Sequence, residues 1–416
     1  MKLPEESISK RLIVVAGFAR SHLLSTIGDL ADADIPVLGI TAIAPKKNLI
    51  KFNGNDLFGF EKFVNRRELT RGAPIQQVKF AELIHQLSMR LPESWPKDIY
   101  EYLNGRSFEI FSSKARKFSQ PKIFSGNESL LIRSGFGKSF TNDSRLYVSD
   151  ASLAHPFVLP GLISSGKICV NTSPPADAIS QLILADTERA DKILVNSDFV
   201  KETFVLSGVK SERIEVAYLP PIGVFKEESL LERTFPENGS TLRVIFAGTF
   251  EQRKGFTEIL EVIEKAAYMS KKIVFTLIGN WAPGTTDYQV KLKGLRGVKI
   301  LKWQTQLELL RHMQDADVFL FPSRAEGGAR VVTEAMAAGL AVITTVNSGT
   351  PISHLLDGLI SEVGNVDQIL SFLELLGENS QLRESLSKAA KKTVEKMVLE
   401  QTYLFKVLDV CQMRKI

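Results

Sequence analysis

The chain has 416 residues, 44% of them hydrophobic and 24% charged. Those proportions exclude a disordered or fibrous class, and the length exceeds one ordinary core, so two to three domains are expected. Lys and Arg number 52 against 47 Asp and Glu, a net charge of +5. That excess suits a protein that handles phosphates or sits near anionic lipid, but it is too small to argue for nucleic-acid binding.

Cys169 and Cys411 are the only cysteines. They cannot form a disulfide framework or a cysteine-based zinc site, and a reducing compartment is compatible. The opening residues Met1-Lys-Leu-Pro-Glu-Glu-Ser lack the apolar stretch of a signal peptide. The most apolar later run, 335–346, falls short of the ~20 residues of a membrane helix. A soluble, cytoplasmic chain is the expectation, and a sequon such as Asn127-Glu-Ser carries no meaning there.

In chain order, residues 12–17 read as a buried strand, 21–32 as a helix and 36–41 as the next strand. Residues 45–125 are rich in Lys, Arg and Phe. Helices are expected at 74–91 and 98–117 with no clear strand between them, so the segment reads as a helical insertion. Strands resume at 145–149, 192–196 and 213–217. Pro and Gly in 219–225, then a polar stretch over 232–241, mark a linker.

The pattern then restarts. A strand at 242–248 precedes a helix at 257–270, and strands follow at 272–279, 298–301, 318–321 and 341–345. Residues 380–413 are helical with no partner strand. Apolar strands alternating with amphipathic helices predict an α/β protein with parallel sheets and crossovers. The expected domains are 1–220, 221–380 and a tail helix over 381–416 that crosses back to the first.

Several motifs carry little. Gly135-Phe-Gly-Lys-Ser139 resembles the end of a phosphate loop, but Ile132 stands where the first glycine is needed. No pair among His22, His85, His155, His312 and His354 has the spacing of a helical metal site, so no metal is expected. His312, beside Met313 and Asp315, reads as structural. No Gly-x-Ser-x-Gly elbow occurs. Arg66-Arg67 and Lys114 to Lys117 read as solvated faces.

The chemistry concentrates in two loops. After the strand ending at Phe321 come Glu326-Gly327-Gly328-Ala329-Arg330 and a helix bearing Glu334. Open α/β sheets bind ligands at the carboxyl ends of their strands, and the free N–H groups near Ala329 to Val331 favour an anion. Glu326 can accept hydrogen bonds from sugar hydroxyls. Glu334, eight positions on, lies roughly 80° away in helical phase and can face the same cleft. A carboxylate bridging two vicinal ribose hydroxyls is well paired. The second loop, Gly248-Thr249-Phe-Glu-Gln-Arg253-Lys254-Gly255, sets a planar guanidinium and a mobile ammonium on the same rim.

These residues resemble the GT-B glycosyltransferases of the large retaining group related to family 4. The resemblance rests on Gly-x-x-x-x-Arg-Lys-Gly at 248–255, Leu277-Ile-Gly279, the approach from Asp315 to Ser323, and Glu-x7-Glu at 326–334 with its Glu-Ala-Met-Ala-Ala-Gly ending. Residues 190–200 add to it. The likeness is strong over 185–365 and weak over 1–145. It implies two Rossmann-like domains facing a cleft. It also implies a UDP- or GDP-type nucleotide sugar as donor substrate, with no tightly bound cofactor.

On this resemblance Arg253 and Lys254 neutralise the diphosphate, Glu326 contacts the donor sugar, Glu334 binds the ribose and residues 301–305 line the base. Two departures stand out. Thr249 replaces an arginine, and Ala329 replaces a third glycine. Arg330 either adds charge at the phosphate or only caps the surface. On the first domain His155, ahead of Pro156, faces the sugar or is an ordinary residue at a helix start. Asp150 sits on the same strand-to-helix segment, and Gly17 offers close backbone approach or only a tight turn.

The implied reaction transfers a sugar to a hydroxyl with retention, in bacterial polysaccharide, lipopolysaccharide or glycolipid assembly. A nucleotide-sugar epimerase and a non-catalytic nucleotide-binding scaffold are the alternatives. The acceptor is expected to be a glycan or a lipid-linked sugar, with no nucleic-acid partner. Phe58, Phe60 and Phe63 beside Arg66, Arg67 and Arg71 suit peripheral contact with an anionic membrane.

Overall fold

The computed structural model describes residues 11–18, 22–44, 67–89, 91, 95–118, 129–133, 145–171, 173, 175, 177–227, 241–269, 272–282, 285–292 and 295–411. Gly135 to Ser139, Asn127, Phe58, Phe60, Phe63, Arg66 and most of the 232–241 stretch lie outside them.

Two parallel sheets form the frame. The first is built from β1 (Ile13–Ala16), β2 (Val37–Thr41), β3 (Ile75–Gln77), β4 (Ser129–Ile132), β5 (Leu146–Ala151), β6 (Lys192–Val195) and β7 (Ile214–Val216), in the order β3-β2-β1-β4-β5-β6-β7. The second comprises β8 (Leu242–Ala247), β9 (Ile273–Ile278), β10 (Val298–Leu301), β11 (Val318–Phe321), β12 (Ala341–Thr345) and β13 (Leu359–Ser361), in the order β10-β9-β8-β11-β12-β13. Strand order reverses beside β1 and again beside β8, and a crevice opens at the carboxyl ends of an α/β sheet at such a switch point.

The strands are apolar because both faces of each sheet are covered. Along β1, Val14 and Ala16 face one cluster with Phe18, Phe111, Leu130 and Ile132. Ile13 and Val15 face the opposite cluster with Leu23, Leu24, Ile27 and Leu131. Tyr403, Leu404, Val407 and Leu408 complete that second cluster from the helix Thr402–Val410, so the end of the chain packs on the first domain. The second domain is held by an aromatic group of Phe246, Phe250, Phe256, Phe321 and Trp281, with ring centroids 4.6–6.0 Å apart.

The sheets contain three strands that the sequence pattern does not mark: β3, β4 and β13. β3 is Ile-Gln-Gln, polar and three residues long, and it forms by pairing with β2. It lies in the stretch expected to be helical from residue 74; the helix there is Lys79–Ser88. The segment read as a helical insertion therefore supplies the edge of the first sheet.

Candidate active site

The loop after β8 and the loop after β11 are joined through their backbones. The Arg253 carbonyl accepts the N–H groups of Arg324 (2.9 Å) and Ala325 (3.2 Å) and the Ser323 hydroxyl (3.2 Å). Gly255 makes this junction possible. Its φ is +76°, and a Cβ there would lie 2.0 Å from the Pro322 carbonyl oxygen, so only glycine fits.

This junction brings Arg253, Lys254 and Glu326 together. Glu326 Oε1 is 2.8 Å from Arg253 Nη1 and 2.9 Å from Lys254 Nζ. Arg253 also donates to the Ala325 carbonyl at 3.0 Å and to Glu251 at 2.7 Å. Lys254 Nζ stands 5.6 Å from the centre of the Phe321 ring. Burial pushes the Glu326 carboxyl up, but Lys254 and Arg253 outweigh it and hold the group below its ordinary range.

Glu334 has the opposite environment. It is buried in the helix Arg330–Ala337, and burial, offset in part by Arg330, lifts its pKa to about 7. The two acids of the Glu-x7-Glu pattern thus differ: Glu326 is an ion-paired carboxylate, and Glu334 titrates near neutrality. Arg330 reaches the first domain, where Nη2 lies 3.4 Å from Ser25 Oγ, while its buried Nε has no hydrogen-bond partner.

The acidic loop is pressed against the first domain. A Cβ on Gly327 would lie 1.5 Å from the Ser152 carbonyl oxygen, and one on Gly328 would lie 3.0 Å from Asn196 Cβ. The Ser197 hydroxyl, N-cap of the helix Asp198–Leu206, donates to the Gly327 carbonyl at 2.6 Å. Arg324 donates to the Ile163 and Ser164 carbonyls and pairs with Glu258. Asn347 bridges the Gly166 and Arg324 carbonyls. The two domains are closed across this loop.

Other residues singled out in the sequence fall around this centre. Gly248 and Gly279 end adjacent strands, and a Cβ on Gly279 would meet the Gly248 carbonyl oxygen at 1.8 Å. Thr249 directly follows Gly248 and is half-buried. The Ala329 N–H donates to the Ser348 carbonyl at 2.9 Å, which aims the loop at the helix start. Thr305, in the stretch expected to line the base, caps the helix Gln306–Gln314 through a reciprocal pair with Glu308. Gly17 follows β1, its N–H bonded to the Ile40 carbonyl.

On the first domain, the partner of Asp150 is His22, with Nε2 2.9 Å from Oδ1 and both groups buried. Tyr403 from the tail helix stands edge-on to His22 at 6.1 Å and accepts from Thr26. His155, by contrast, is held in packing at a helix start. Its Nδ1 accepts from the Phe157 N–H, its backbone N–H donates to Thr203, and its ring meets Phe157 and Phe204. Burial lowers its pKa to about 4, so this imidazole stays neutral. The sequence reading assigned no site role to His22, Asn196, Ser197, Arg324 or Asn347, although 190–200 entered the resemblance. Only Ser197, a capping residue before a helical run, leaves a local signal.

Two closed parallel-sheet domains, with paired cations against an acidic loop at one switch point, match what the sequence comparisons report. The sequence model described as Glycosyl transferases group 1 matches residues 230–393, which contain both loops. The second domain is a group 1 glycosyl transferase domain.

Relatives of the chain include an uncharacterized 41.2 kDa protein in the cps region of Klebsiella pneumoniae, 25% identical over 68% of this chain and 80% of its own. The amylovoran biosynthesis glycosyltransferase AmsK of Erwinia amylovora is 27% identical over 37% of this chain and 40% of its own. The N,N'-diacetylbacillosaminyl-diphospho-undecaprenol alpha-1,3-N-acetylgalactosaminyltransferase of Campylobacter jejuni is 26% identical over 35% of this chain and 40% of its own. Among solved structures, TarM superposes with a TM-score of 0.65 at 11% identity, covering 97% of this chain and 99% of that one. Anabaena HepE in complex with UDP and glucose gives 0.54 at 14% identity, covering 94% and 99%. The fold is GT-B.

Proposed function

We propose that this glycosyltransferase moves a sugar from a nucleoside-diphosphate donor to a hydroxyl of a glycan or lipid-linked acceptor, with retention, in the assembly of a bacterial surface polysaccharide or glycolipid. The observation that carries the reading is the Arg253–Lys254–Glu326 group at the switch point of the second sheet. Two cations on one rigid loop suit a diphosphate, and fixed charges aimed at the leaving group lower the barrier without reorganising. Relatives named for amylovoran biosynthesis and for an undecaprenol-linked sugar support the acceptor class, and a similar fold that holds UDP supports the donor class.

In this scheme the bond from the anomeric carbon to the diphosphate oxygen breaks and a bond to the acceptor oxygen forms on the same face. The acceptor proton passes to the leaving diphosphate. Arg253 and Lys254 stabilise the charge that develops there, Glu326 takes a sugar hydroxyl, and Glu334 takes the ribose diol. Closure of the domains orients the reactants and excludes water. His22, fixed by Asp150 at the carboxyl edge of the first sheet, lines the acceptor side. A screen of UDP- and GDP-sugars by thermal shift identifies the donor. Acceptor-dependent release of nucleoside diphosphate then tests the transfer, and release that ignored every glycan and lipid-linked acceptor would sink it.

A further inference from the structure

Arg324 has no part in the scheme above, yet its guanidinium is divided between the two domains. On its own side, Nε and Nη2 lie 2.7 and 2.6 Å from Glu258 Oε1, in the first turn of the helix Phe256–Ala266. Across the cleft, Nη1 donates to the carbonyls of Ser164 (2.8 Å) and Ile163 (3.2 Å). Those carbonyls belong to the last turn of the helix Leu159–Ser165. Carbonyls of a last turn have no donor within their own helix, and a cation there also meets the negative end of the backbone dipoles.

Burial makes the contact directional. The side chains of Arg324 and Glu258 are 14% and 3% exposed, so the carboxylate sets the plane of the fork out of water. A guanidinium can hold a carboxylate along one edge and offer a further N–H in the same plane. An ammonium is a point charge on a flexible stem and does not fix both directions.

The same helix end is gripped twice more. Asn347 Nδ2 donates to the Gly166 carbonyl at 3.2 Å and to the Arg324 carbonyl at 2.7 Å. Gly166 has φ +71°, and a Cβ there would lie 2.3 Å from Val363 Cγ1, so the second domain packs directly on this turn. At the other end of the segment the Ser152 carbonyl lies against Gly327. Residues 152–166 are therefore held at both ends, and they follow β5, the strand that carries Asp150. Arg324 is also tied to the cation loop, because its N–H donates to the Arg253 carbonyl at 2.9 Å.

We propose that Arg324 is a positioning residue that latches the helix Leu159–Ser165 onto the second domain. The latch fixes the spacing between the two charged loops and the carboxyl edge of the first sheet. Its effect on catalysis rests on the proposed transfer, since that spacing brings the acceptor to the donor and keeps water out. The latch itself stands on the contacts alone.

Arg324→Lys and Arg324→Ala in the full chain test it. Lysine keeps a positive charge for Glu258 without the fork, and alanine removes both. X-ray scattering without ligand is expected to give a larger radius of gyration for each variant, with the melting temperature as the fold control. If the alanine variant fails to fold, the lysine variant carries the test. Kd for UDP or GDP is expected to stay within about twofold, because Arg253, Lys254 and Glu334 all lie on the second domain. At the same time kcat should fall at least about tenfold, and loss of donor to water should gain on transfer to the acceptor. A residue that only supports the fold would lower the melting temperature and leave that partition unchanged. An unaltered radius of gyration overturns the latch. Opening with unaltered kcat and unaltered partition overturns the positioning role. If the native chain transfers no sugar from any donor, the transferase reading fails, and scattering still decides the latch.

Discussion

Replacing Glu326 by Gln probes the centre of the site. The substitution keeps the shape and removes one charge from a group in which Arg253 and Lys254 lie 2.8 and 2.9 Å away. At an effective dielectric constant of about 20, each contact is worth roughly 5–6 kcal/mol of gross attraction, most of it offset by the cost of taking the charges out of water. Arg253 keeps Glu251 and the Ala325 carbonyl, whereas Lys254 loses the carboxylate 2.9 Å away. A net destabilisation of about 2–4 kcal/mol is expected, since removing one member of a buried pair leaves a charge uncompensated. For a domain of this size that lowers the melting temperature by roughly 4–16 °C.

The same change should strengthen nucleoside diphosphate binding. In the native chain Glu326 holds both cations, so an incoming diphosphate competes with an internal carboxylate. Without that competitor Kd for UDP or GDP is expected to fall about tenfold, the equivalent of 1.4 kcal/mol. Sugar transfer falls at the same time, because the carboxylate removed is the group assigned to the donor sugar. Calorimetric titration with UDP and GDP, together with thermal melts of both proteins, reads both effects. An unchanged melting temperature with equal or weaker nucleotide binding in Glu326→Gln would refute the reasoning, since it would mean that Glu326 neither neutralises the cations nor competes for them.

Three further outcomes follow from the geometry. Lys254→Ala should weaken diphosphate binding by about 10–100-fold while leaving the affinity for the bare nucleoside unchanged, as titration with both ligands would show. Glu334, with a folded pKa of about 7 against an ordinary 4.5, keeps its proton in the folded chain over a window where the unfolded chain has lost it. Rising pH should therefore cost stability between those two values, by up to about 3 kcal/mol, and denaturant melts of Glu334→Gln should lose that slope. In the same window nucleoside diphosphate should bind more tightly as Glu334 ionises, and its 2′-deoxy analogue should not. Gly327→Ala would set a methyl group against the Ser152 carbonyl, so the domains cannot close as they do now. A larger radius of gyration and a fall in kcat with nucleotide affinity retained are expected; unaltered turnover would show that this closure is not needed.

The strands that were legible in the sequence are those whose apolar runs are long enough to declare burial on both faces, such as 242–247 and 341–345. β3 and β13 were not, because each has three residues and exists through its neighbour, β2 or β12. β4 is an apolar run of four, too short to separate from a buried helix segment by periodicity. At the site, Arg253, Lys254, Glu326 and Glu334 were readable because each loop carries its own glycine and charge pattern on a local stretch of chain. His22 was not, since its partner Asp150 lies 128 positions away and no local spacing announces the pair.

The sequence by itself determined the alternation of strands and helices, the restart of that pattern in the second half, and the residue types of the two charged loops. These are local properties, set by side-chain periodicity and backbone freedom. Tertiary structure alone decided which charges meet. It put Glu326 on both cations, buried Glu334 so that its pKa rises, set the His155 ring against Phe157 and Phe204, and made His22 the partner of Asp150. The reason is physical: a charge takes its energy from the distance and dielectric of its neighbours, and those come from elements far apart in the chain.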